Sequence, residues 1–169
     1  HCLTIKADHL QVEGLTCRLA TIGLAVDALT ARNVTLAGNV LQDNDFGIYI
    51  QPSSTGIPVK GEFRILHNLV TGGGTQPDYG AGIYLQGGYT TDSTNSLSVF
   101  IVENNTIRTP RICLRMTSTG STRLRTHYLK NNIFETTGTD SNSICLVARP
   151  GTISFSDYNL LFAPAGYAG

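Results

Sequence analysis

An asparagine followed two positions later by an apolar residue recurs five times along the chain: Asn39 with Leu41, Asn68 with Val70, Asn105 with Ile107, Asn132 with Phe134 and Asn159 with Leu161. The intervals between these asparagines are 29, 37, 27 and 27 residues. Three positions before each stand Leu36, Ile65, Val102 and Leu129, with Ser156 as the exception. Self-similarity at such a period is the mark of an architecture built by stacking one supersecondary unit on the next. Asparagine tolerates left-handed backbone, and its amide can bond to the coil above or below, so the five are expected to form a ladder.

A second motif runs in phase with the first. Gly23 to Asp27, Gly47 to Gln51, Gly82 to Gln86, Arg111 to Arg115 and Ser143 to Val147 share an alternating apolar pattern. Alternation places successive residues on opposite faces of a strand. It predicts inward pairs Leu24/Val26, Ile48/Ile50, Ile83/Leu85, Ile112/Leu114 and Ile144/Leu146. Strands this short cannot bury a face alone, but stacked coils can. The strands are rich in Val, Ile and Tyr, and no helical apolar stripe survives past the asparagines, which disfavours a helical repeat. A β-sandwich would not explain asparagine recurring at one corner. The expected fold is all-β, a right-handed parallel β-helix (solenoid) of about six coils, in one domain over residues 1–169. The chain opens at His1 within strand-like sequence, so it is expected to be a piece of something longer.

The pattern in Val102-Glu103-Asn104-Asn105-Thr106-Ile107, followed by Ile112-Cys113-Leu114, resembles the parallel β-helix repeat of the pectate-lyase-like superfamily. Asp157 to Leu161 resembles the closing full coil of such proteins. The resemblance covers nearly the whole chain and carries the expected right-handedness. It implies contact with carbohydrate but no single reaction, since that superfamily includes lyases, hydrolases, epimerases, phage tailspikes and adhesins.

Charge narrows the partners. Lys plus Arg and Asp plus Glu number 12 each, so there is no basic footprint for nucleic acid and no polybasic membrane anchor. No stretch reaches the roughly 18 apolar residues of a membrane-spanning helix. Four cysteines in a Thr- and Asn-rich chain fit an oxidising compartment, and the protein is expected to be secreted or displayed at the cell surface. Asn33-Val34-Thr35 and Asn104-Asn105-Thr106 match the glycosylation sequon, which matters only in a eukaryotic secretory pathway.

Outward positions of the second motif form one column of Ala25, Tyr49, Tyr84, Cys113 and Cys145, beside another of Asp27, Gln51, Gln86, Arg115 and Val147. Two tyrosines on successive coils, flanked by glutamines, are expected to offer a flat surface for sugar rings. The same residues also suit an ordinary half-covered strand face. Tyr79 and Tyr89, in the loops of the longest interval, join Tyr49, Gln51, Tyr84, Gln86 and Arg115 as the candidate carbohydrate-binding set. Cys113 and Cys145 fall at equivalent positions in adjacent coils and are expected to be disulfide-bonded or in contact. Cys2 and Cys17 have no such register argument.

Asp43, Asp45 and Asp78 are the candidate ligands for a hard cation such as Ca²⁺, although the ligand motif is incomplete and Asp is also an ordinary turn residue. No other cofactor is implied. A lyase would need a base beside a cation, for which Arg111, Arg115, His127 and Lys130 are available. A hydrolase would need two facing carboxylates, and the acidic residues sit in loops. His1, His9 and His67 have no nucleophile partner at a recognisable spacing. Thr4, Thr35 and Thr106 form no single flat column, which disfavours an ice-binding face. The reading that results is an extracellular module that contacts polysaccharide or glycan without catalysis. The alternatives are a polysaccharide lyase or glycoside hydrolase, or part of one, and a trimeric spike or adhesin segment.

Overall fold

A computed structural model describes residues 1–51, 61–73, 80–87, 98–118, 127–139, 141–148 and 153–164, and within it the side chains of Gly87, Ser98, Ser118 and His127 are not described. Among the described residues there are 18 strands and no helix. Every third strand in sequence pairs in parallel, which sorts them into three six-stranded sheets. The chain is a right-handed parallel β-helix of six coils.

The first sheet holds β1 (Leu3–Ile5), β4 (Ile22–Asp27), β7 (Phe46–Gln51), β10 (Ala81–Gly87), β13 (Ile112–Ser118) and β16 (Ile144–Ala148). The second holds β2 (Gln11–Glu13), β5 (Val34–Ala37), β8 (Gly61–Leu66), β11 (Ser98–Glu103), β14 (His127–Lys130) and β17 (Phe155–Asp157). The third holds β3 (Thr16–Arg18), β6 (Val40–Gln42), β9 (Leu69–Thr71), β12 (Thr106–Thr109), β15 (Ile133–Thr136) and β18 (Leu160–Phe162). Each coil turns its apolar residues into one shared interior, where Leu24, Ile48, Ile83 and Leu114 stack from the first sheet and Leu36, Ile65, Val102 and Leu129 from the second. Phe63 and Phe100 stack within it with ring centroids 5.2 Å apart.

The asparagines stand at the corner between the second and third sheets. The side-chain Nδ2 of Asn39 donates to Oδ1 of Asn68, Asn68 to Asn105, and Asn105 to Asn132, each at 3.0 Å, and Asn132 to Asn159 at 2.9 Å. The same amides donate to carbonyls of the preceding coil, as in Asn68 to Leu36 and Asn105 to Ile65. Ser156 now has a reason. In the sixth coil the Asn159 amide donates to the Leu129 carbonyl at 2.9 Å and to the Ser156 hydroxyl at 3.1 Å. The left-handed backbone lies one residue before each asparagine rather than on it: Gly38, His67, Asn104, Asn131 and Tyr158 all have φ between 52° and 61°. The asparagine is there for its amide, and its neighbour makes the turn.

The register of the last two coils differs from expectation by two residues. Leu114 pairs with Ile83 and Arg115 with Tyr84, so Cys113 falls opposite Gly82, and Cys145 falls opposite Cys113. One column at the corner entering the first sheet therefore reads Cys2, Gly23, Gly47, Gly82, Cys113, Cys145. From Gly23 to Cys145 it is buried, as from Leu24 to Leu114 is the residue that follows it, because the chain bends there and the strict alternation is broken. A Cβ built on Gly47 would lie 2.6 Å from the carbonyl oxygen of Gly82 and 2.5 Å from Val70 Cγ1. In the middle coils only glycine fits.

Cys113 and Cys145 are thus fully buried free thiols, not an outward disulfide. Their sulfurs are enclosed: Thr109 Oγ1 donates to Cys113 Sγ at 3.7 Å and Cys145 Sγ lies 3.3 Å from the carbonyl oxygens of Phe134 and Phe162, while the neighbouring Cys145 thiol and burial push the Cys113 thiol above the ordinary range. The disulfide joins Cys2 to Cys17, with Cα atoms 6.2 Å apart. It ties the exposed corner position of Cys2 to Cys17, which is buried in the inward column of the third sheet. Alkylation should report this directly. In native protein Cys113 and Cys145 should resist iodoacetamide and react only in urea, while Cys2 and Cys17 should react only after reduction. A peptide cross-linking Cys113 to Cys145 would contradict the assignment.

Candidate functional site

The outer face of the first sheet carries the densest set of polar and aromatic side chains singled out from the sequence. Alternation aims every second residue of these strands outward. With the register above, one outward column reads Thr4, Ala25, Tyr49, Tyr84, Arg115, Val147. Beside it, Lys6, Asp27, Gln51, Gln86 and Thr117 form a second. Arg115 therefore belongs with the tyrosines and not, as alternation suggested, with the glutamines.

The tyrosines do not form the outward-facing platform expected. Their rings are stacked on each other, centroids 5.0 Å apart and 14° from parallel, so the ring faces look along the solenoid axis. One face of Tyr84 is covered by Tyr49. On the side of the next coil the Arg115 guanidinium lies 5.9 Å from its centroid, within reach of a cation–π contact. Phe46 leans against both rings, at 4.9 Å from Tyr49 and 6.0 Å from Tyr84. The phenols are tied down as well: Tyr49 Oη donates to Gln51 Oε1 at 2.5 Å, and Thr117 Oγ1 donates to Tyr84 Oη at 3.0 Å. Burial, with the Tyr84 phenol as a smaller cause, pushes the Tyr49 pKa above its ordinary value. Tyr49 is accordingly a neutral donor throughout the physiological range.

The remaining face of Tyr49 looks toward the second coil, where the column holds only Ala25. The step from Tyr to Ala leaves a concavity of about 470 Å³. Its lining includes Phe46 and Tyr49 on one side, His1, Thr4 and Lys6 on the other, and Asp27 and Gln51 at the flank. Aromatic wall, carboxylate, amide and ammonium in one open groove can bind a molecule that has both a flat apolar face and hydroxyls. The smallness of Ala25 beneath Tyr49 was visible in the sequence columns, but the direction of the ring faces was not.

The other expected residues are dispersed. Gln86 shares the face. Tyr79, Tyr89 and Asp78 lie outside the described residues. Asp43 and Asp45 flank Asn44 at the corner between the third and first sheets, where Asn44 is buried and accepts the Ala20 N–H at 2.9 Å. Asp43 has φ 54° and its N–H donates to the Thr71 carbonyl, so turn-making accounts for it. No group of three or more His, Cys, Asp or Glu side chains gathers to hold a metal among the described residues. Lys130 stands on the second sheet, in register between Glu103 and Asp157, away from the tyrosines. Comparison with protein-family models, with curated proteins and with solved structures yields no match.

Proposed function

We propose that the chain is an extracellular β-helix module that binds carbohydrate on the outer face of the first sheet, without catalysing its breakdown. The observation that carries the reading is the Tyr49–Tyr84 stack beside an open groove flanked by Gln51 and Asp27. Aromatic side chains pair with the C–H face of a sugar while amides and carboxylates bond its hydroxyls. The neutral chain adds no long-range field that would select a strongly charged polymer. The Cys2–Cys17 disulfide supports a life outside the reducing cytosol. Kinship with the pectate-lyase-like superfamily is proposed on the repeat motif and the six-coil architecture.

A glycan array followed by calorimetry on the best hit tests this. Tyr49→Ala together with Tyr84→Ala should weaken binding at least about tenfold, or roughly 1.4 kcal/mol. Unchanged binding in the double variant would move the site off this face. Release of reducing sugar or unsaturated product from the bound glycan would overturn the non-catalytic reading.

A further inference from the structure

The column Arg115, Tyr84, Tyr49 is a pile of flat groups that stops at Ala25. Neighbouring coils are spaced at about 4.8 Å, and Tyr84 sits 5.0 Å from Tyr49. A ring entering at the level of the second coil therefore meets the open face of Tyr49 as Tyr84 meets the other. Resting on the carbohydrate reading above, we infer that the groove over Ala25 is a slot for one uncharged pyranose ring with equatorial hydroxyls, which extends the aromatic pile by one member.

The ring chemistry follows from what surrounds the slot. A pyranose with equatorial hydroxyls presents axial C–H groups to Tyr49 and directs its hydroxyls sideways in the ring plane. There they reach a second column of Lys6, Asp27 and Gln51. Gln51 Oε1 already receives the Tyr49 phenol, which leaves its Nε2 as the group to donate. Asp27 Oδ1 accepts the Leu29 N–H at 3.2 Å, which fixes the carboxylate in the corner turn. A hydroxyl both donates and accepts, so acceptor and donors side by side suit it. A flat aromatic ligand, with polar groups only at the ends of its ring, would strip water from Lys6 and return fewer hydrogen bonds than a ring of hydroxyls. A uronate carboxylate would gain Lys6 but face Asp27. The two opposite charges favour an uncharged ring.

The decisive variant is Ala25→Tyr, which puts a side chain where the ligand ring should lie. Thr4→Tyr, at an exposed position on the far side of the groove, closes the slot without touching its floor and serves if the first variant does not fold. Probes are cellotetraose, tetragalacturonate and p-nitrophenol, titrated by calorimetry, with saturation-transfer NMR to read which sugar protons lie against aromatic rings. The expected result is cellotetraose binding, axial ring protons most strongly saturated, and at least a tenfold loss in a folded filling variant. Cellotetraose binding that persists in the filling variants but falls in Tyr84→Ala would sink the slot and leave the carbohydrate face standing. Tighter binding of tetragalacturonate or of p-nitrophenol, lost on filling, would refute the ring class. If none of the probes binds and the glycan array is also blank, the carbohydrate reading fails with it.

Discussion

Replacing Asn105 with alanine should lower the unfolding free energy by roughly 4 kcal/mol, read as a shift of the urea midpoint. Asn105 is 1% exposed and sits at the centre of the ladder. Its Oδ1 accepts both the backbone N–H of Asn68, at 2.9 Å, and the Asn68 amide, at 3.0 Å, while its Nδ2 donates to the Ile65 carbonyl at 2.8 Å and to Asn132. Alanine removes the side-chain partner of the buried Asn68 N–H and of the Ile65 carbonyl, leaves the Asn68 amide with Leu36 alone, and gives water no route to them. Each such orphan costs about 1–3 kcal/mol, well above the net worth of a made bond. Asn159→Ala should cost less, roughly 2 kcal/mol, because the last coil is open to solvent and water can replace part of what is lost. Equal effects at the two positions, or a loss below about 1 kcal/mol for Asn105, would show that the ladder does not carry the corner.

Phe100→Ala should cost about 4 kcal/mol, within the range for emptying a fully buried phenylalanine site. The ring is 0% exposed and stacks on Phe63 at 5.2 Å, between coils whose backbones are tied to each other by parallel pairing. Such a scaffold cannot collapse around the cavity, so the loss should not fall to the lower end of that range. Phe155→Ala is the matched control. Phe155 occupies an outward position of the same sheet, pairs with Tyr128 and is 45% exposed. Its removal should change stability by less than about 1 kcal/mol. A small loss at Phe100 would mean that the interior repacks freely.

The difference between these two phenylalanines was not drawn from the sequence, where attention fell on the asparagine and glycine motifs. No glycine recurs at the entry of the second sheet, where only β8 opens on one, Gly61, and Phe63 and Phe100 are 37 residues apart across the longest interval. The corner asparagines were legible because each coil repeats the same local hydrogen-bonding problem. Even Ser156, the one exception to the apolar position, was visible before its role was. The five described members of the candidate carbohydrate-binding set, Tyr49, Gln51, Tyr84, Gln86 and Arg115, were found by alternation and do share one face. The groove beside Tyr49 and Gln51 went unnoticed because it is defined by what Ala25 lacks.

The sequence by itself determined the repeat: about six coils, a ladder of five asparagines, an apolar interior and an outer column holding Tyr49 next to Tyr84. Those follow from short-range periodicity, which every coil states again. Tertiary structure decided the register of the last two coils, the partner of each cysteine and the direction in which the tyrosine rings face. The physical reason is the same for the first two. A slip of two residues leaves alternation intact, so period alone cannot detect it, and only the space at the corner, glycine-sized in the middle coils and wide enough for a thiol at Cys113 and Cys145, selects one pairing. Ring direction depends on what the neighbouring coil places at the same height. A tyrosine under Tyr84 and over Ala25 stacks on one side and stands open on the other.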